Sequence, residues 1–143
     1  MKVQQTRPDS ALKKLGDAIV GSWRLSGDAT GQIRFEWLDG GFFLVQHVDI
    51  EHGGRSIKGI EVIGHLQRPG EEPGKEIRSR FYSALDCLTL DYVYELVDDT
   101  LFIHFGEKES NNFYKATFGD GGNTMTGAWQ WPGGGYKVVG RRE

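Results

Sequence analysis

Cysteine is nearly absent from this chain of 143 residues: Cys87 stands alone, so no internal disulfide can form. Proline is scarce as well, at 4 residues, which excludes a Pro-rich linker composition. An excess of positive charge is missing. The net charge is -3, which leaves little with which to neutralise phosphates, and nucleic acid is not an expected partner. The nearest basic cluster, Lys75, Arg78 and Arg80, has Glu71, Glu72 and Glu76 beside it and reads as a solvated strand edge. No apolar stretch approaches the roughly 20 residues that span a bilayer, so no membrane partner is expected. Met1 to Thr6 lack the apolar core of a secretory signal, and the cytoplasm is the expected location. Histidines number 4 with no His-x-His pair, so no metal site is expected.

Glycine is abundant. Its 21 residues follow no collagen period and instead punctuate the chain where tight turns fall. One short helix is expected over 8–19, capped by Pro8-Asp9-Ser10 and carrying Leu12, Leu15 and Ile19 at helical spacing, with Gly16 and Gly21 marking where it fades. Beyond it the period becomes two. Strands are expected over 21–28, 31–38, 41–51, 57–66, 76–84, 89–97, 100–106, 112–119, 124–131 and 135–142, separated by turn residues such as His52-Gly53-Gly54, Asp98-Asp99 and Pro132-Gly133-Gly134-Gly135. Short turns imply antiparallel hairpins. A meander of about ten strands with hardly any helix must cover an apolar face and two bare edges, and closing into a barrel does both. The expectation is an all-β fold: one domain over 1–143, an antiparallel barrel around a small-molecule-sized interior.

After the helix, Gly21-Ser22-Trp23 resembles the Gly-x-Trp start of the lipocalin and calycin superfamily. The resemblance implies that the short helix closes one barrel end, that Trp23 packs beneath it, and that Arg141 or Arg142 of the last strand lies over the indole. The stretch Phe35 to Gln46 resembles the signature of a family of small bacterial calycin-like proteins. Gly59 to Gly64, Tyr94-Glu95 and Phe118 to Trp129 look like its later landmarks. That likeness implies a lipocalin-like barrel and no particular activity. Nitrobindins are similar at Gly21-Ser22-Trp23. This chain departs from them with Leu25 where they carry a glycine and with no histidine after His104, so haem, or any other cofactor, is not expected.

Alternation places Leu44, Gln46, Val48 and Ile50 on one face of their strand and His47, Asp49 and Glu51 on the other. A histidine with two carboxylates can bind a divalent metal, but a solvated outer face is the preferred reading. Arg80 and Tyr82 share one face of 76–84, Tyr92 and Tyr94 share one face of 89–97, and His104 lies in the apolar run Leu101 to Phe105. His104 is either a core histidine with one hydrogen-bond partner or a lumen residue that meets ligand or moves a proton. Trp129 and Trp131 alternate near the C-terminal end, at the rim or in the core. Arg80, Tyr82, Tyr92, Tyr94, His104 and Trp129 are the candidate ligand contacts, since buried rings with a polar atom suit small-molecule pockets. The leading functional reading is a barrel that binds a small, mostly apolar ligand. The alternative is an isomerase or cyclase that shapes a hydrophobic substrate in the lumen. A subunit that pairs through its surface, as in a homodimer, is the third.

Overall fold

The computed structural model describes residues 10–143. Helix α1 (Ser10–Ile19) precedes β1 (Gly21–Gly27), β2 (Ala29–Trp37), β3 (Phe43–His52), β4 (Arg55–Gly64) and β5 (Ile77–Ser83). Then come β6 (Thr89–Val97), β7 (Thr100–Phe105), β8 (Phe113–Gly119), β9 (Thr124–Trp131) and β10 (Gly134–Arg142). Every sequential pair is antiparallel, and β10 returns to pair with β1, so the sheet is a closed ten-stranded barrel. Each expected strand is present with its ends shifted by two residues or fewer.

Punctuation by turn residues produces this. Gly53-Gly54, Asp98-Asp99 and Pro132-Gly133 each join two strands through only two residues, with Gly53, Gly54, Asp98 and Gly133 at positive φ. The link between β1 and β2 is a single residue, tighter than the two left between the expected strands 21–28 and 31–38. Asp28 alone lies between them, held because its N–H donates to the Lys137 carbonyl and its carboxylate accepts from the Lys137 N–H, both at 2.8 Å.

The short helix sits at one end of the barrel. Leu12, Leu15 and Ile19, at spacings of three and four, are buried against it, and α1 packs on β2 and β6. The proposed cap residues Pro8 and Asp9 lie outside the described residues. Gly16 does not end the helix, as its type suggested; it lies inside it, where a Cβ would come within 2.2 Å of the Trp37 ring. A side chain there would hold the helix off the sheet. Trp23 lies beneath α1 with no exposed surface and donates its indole N–H to the Ile19 carbonyl at 2.9 Å. Of the two terminal arginines, Arg142 lies over the Trp23 ring, 4.3 Å from its centroid, and donates to the carbonyls of Ala18 and Val20 at the end of the helix. Arg141 is exposed.

Side chains facing inward are mainly apolar: Leu25, Ile33, Phe35, Val48, Phe81, Leu101 and Met125 among them. Strands with bulky inner residues lean on bare backbone. Phe81 of β5 fills the place beside Gly59 of β4, where a Cβ would stand 2.1 Å from the Tyr82 carbonyl oxygen and 2.8 Å from the Phe81 ring. Gly59→Ala is therefore expected to cost about 2–3 kcal/mol, since both backbone and ring must shift. Denaturant unfolding measures this, and a change near zero would mean that the β4–β5 pairing yields easily.

Candidate functional site

Inside the barrel is a cavity of about 210 Å³, lined by side chains from all ten strands. Its two ends differ. Towards α1 the lining is sealed by Phe35, Leu101 and Met125, all buried, whereas at the opposite end Ile50, Ile57, Leu90 and Tyr136 are only partly covered. The cavity therefore opens away from the helix. Exposed Leu85, Leu88 and Trp131 belong to the loop and strand ends on that same side.

Most of the wall is hydrocarbon and aromatic ring. Tyr92 and Tyr114 stand against Trp129 at centroid distances of 5.8 and 5.5 Å. Among the described residues lining it, the one ionisable carboxyl is Glu61 on β4, 3% exposed, between Gln46 of β3 and Phe81 of β5 in the strand register. The Ser79 hydroxyl donates to its Oε2 at 2.5 Å, and the Tyr94 hydroxyl donates to its Oε1 at 2.8 Å. Burial pushes this carboxyl up to about 7, against the two hydrogen bonds, which favour the charged form. Burial also raises Tyr92, Tyr94, Tyr114 and Tyr136, with the Glu61 charge adding to the effect at Tyr92 and Tyr94, so all four remain neutral hydroxyls. Among the described residues, no lysine, arginine or histidine lines the cavity. The site can hold an apolar body and meet one polar group. It can also take up or give back a proton near neutral pH.

Three of the six candidate residues line this cavity: Tyr92, Tyr94 and Trp129. Arg80 and Tyr82 do not, which corrects the inward placement expected of them. They stand on the outer face of β5, because Ile77, Ser79 and Phe81 take the inner one, and Arg80 forms a two-point ion pair with Asp91 of β6 at 2.7 and 3.1 Å. His104 is also corrected. Leu101 and Ile103 are the inward residues of β7, and His104 lies on the outer face, buried there beside Phe102 and Phe113 with ring centroids 5.8 and 6.1 Å away. Neither of its ring nitrogens makes a hydrogen bond; the nearest partner is Glu95, whose Oε1 is 3.7 Å from Nε2. In place of the expected single hydrogen-bond partner there is a carboxylate neighbour beyond hydrogen-bond reach.

His47, Asp49 and Glu51 lie on the outer face, with His47 2.5 Å from the Glu36 carboxylate. Among the described residues no cluster of three His, Cys, Asp or Glu side chains is placed to hold a metal, and no helix is long and apolar enough to cross a membrane.

Sequence reasoning missed Glu61 and Ser79. A usable signal existed. Gln46 shares a face with Leu44, Val48 and Ile50, and the two-residue turn at Gly53-Gly54 places Glu61 directly opposite Gln46, since each lies seven residues from the turn. A glutamate paired across from an inward glutamine must point inward too. No protein-family model matches the chain, and a search of curated proteins finds no match for it.

Proposed function

We propose that this protein binds one small, mostly apolar molecule inside its barrel. The observation that carries the reading is the cavity itself: about 210 Å³, walled by aliphatic and aromatic side chains, open at one end, with polar groups gathered at Glu61. An apolar cavity of about 150 Å³ already accepts benzene, so a substituted aromatic ring fits this volume. Charged side chains on the outer strand faces, such as Arg24, Asp49, Lys58, Arg80 and Asp91, support a barrel that works in water rather than in lipid.

Titration calorimetry with 2-phenylethanol tests the reading, together with native mass spectrometry of the freshly purified protein. Saturable one-to-one binding is expected. Ile57→Trp, which adds bulk at the half-open end, is expected to weaken it about tenfold with little change in unfolding midpoint. If neither 2-phenylethanol nor other small arenes bind saturably, the carrier reading fails.

A second reading rests on Glu61. A carboxyl that titrates near neutrality beside an apolar cavity suits proton transfer in an isomerase or cyclase. Under that reading Glu61→Gln abolishes turnover while substrate still binds.

A further inference from the structure

We propose that the ligand is a primary ammonium ion on an aromatic or aliphatic body, its head group seated against Glu61 and the surrounding tyrosine rings. This deepens the carrier reading and rests on it. Among the described residues, the carboxylate at this apolar wall has no counter-ion: its two hydrogen-bond donors, Ser79 and Tyr94, are neutral, and no described residue lining the cavity is positively charged. Such a group is costly to ionise, and a cation carried in by the ligand offsets part of that cost. The walls favour the same charge. Phe35, Phe81, Tyr92, Tyr94, Tyr114 and Trp129 line one cavity with Glu61, and aromatic faces attract ammonium groups, the more so when these are desolvated. An anionic ligand would be repelled by the ionised carboxylate, and a neutral alcohol could donate one hydrogen bond without the charge attraction. The volume sets the size of the body at about one ring with a short chain.

The titratable groups facing Glu61 across the lumen are Tyr92 and Tyr94 of β6, Tyr114 of β8 and Tyr136 of β10, all held neutral by burial. Gln46 of β3 and Ser79 of β5 do not titrate. His52 of β3 stacks on Tyr136 at the open end, 3.8 Å between ring centroids, so the pH dependence of head-group recognition that belongs to Glu61 is the part lost in Glu61→Gln.

The test compares 2-phenylethylammonium, 2-phenylethanol and 3-phenylpropionate by calorimetry on the unmodified protein. Near pH 8.5, where the carboxylate is ionised and the amine still charged, the ammonium ion is expected to bind about tenfold or more tightly than the alcohol, and the anion most weakly. Near pH 5 the preference for the ammonium ion is expected to fall by about tenfold or more, because the carboxyl must first lose its proton. Near pH 7 the heats measured in two buffers of different ionisation enthalpy should reveal release of about half a proton with the amine and none with the alcohol. Glu61→Gln should lose the amine preference, with amine and alcohol binding about equally near pH 8.5. The native-protein series stands even if that variant does not fold. Equal binding of amine and alcohol at both pH values overturns the proposal and leaves the carrier reading intact. Failure of all three molecules to bind overturns both.

Discussion

Replacing Glu61 with glutamine is expected to make the protein more stable above pH 7 and to leave it nearly unchanged below pH 4.5. The sign follows from where protons are bound. In the unfolded chain this carboxyl titrates near its ordinary 4.5, whereas burial holds it at about 7 in the barrel. Between those values the native state carries the proton and the unfolded state does not, so stability falls as pH rises through the window. The full difference is present below the unfolded value and is lost above the folded one. A displacement of this size corresponds to about 3 kcal/mol, a large part of a typical domain's stability. Glutamine keeps the shape and one acceptor for Ser79 or Tyr94 but has no charge to bury, so a gain of about 1–3 kcal/mol is expected near pH 8.5. Urea unfolding of both proteins near pH 5 and pH 8.5 measures it. Equal stability of the two across the window would mean that water or a shifted side chain already solvates the carboxylate.

The second large effect is expected at the closed end. Trp23→Ala should destabilise the barrel by about 4 kcal/mol, among the largest effects of any single truncation in this chain. Its ring is fully buried beneath α1, packs 6.4 Å from Phe118 and accepts the Arg142 guanidinium on its face. Removing it leaves a void and also takes the indole donor from the Ile19 carbonyl. Arg142 bridges that void to the last turn of the helix, so α1 should detach before the strands separate. Trp23→Phe refills part of the space without the hydrogen bond and should cost about half as much. Hydrogen exchange resolved by segment distinguishes the routes: early loss of protection over 10–19 supports a detached helix, and uniform loss counts against it.

The sequence displays its strands far better than it displays their orientation. Strands separated by Gly53-Gly54 or Asp98-Asp99 are visible because turn residues interrupt an alternating pattern, and β6 shows its inner face plainly as Leu90, Tyr92 and Tyr94 against Asp91 and Glu95. In β5 the pattern misleads. Arg80 and Tyr82 look like a ligand-binding pair, but the inward positions hold Ser79, which meets Glu61, and Phe81, which covers Gly59. In β7 both faces are apolar, because Phe102 and His104 form a small outer cluster with Phe113, so alternation alone cannot orient the strand. Glu61 hides for a related reason. Its neighbours Ile60 and Val62 are hydrophobic yet point outward, which makes the glutamate look like the exposed member of the strand. Cross-strand register from a fixed turn carries the information that single-strand alternation lacks.

The seam between β1 and β10 has a consequence for how the protein is made. Trp23 pairs with Arg142 and Gly27 with Val138, so β1, once synthesised, waits for β10 far along the chain. Until then β1 has a bare edge on one side, and the nascent sheet is an open ribbon able to pair with another chain. Such distant closure slows folding and gives the nine residues of β10, Gly134–Arg142, control over when the ribbon becomes a vessel.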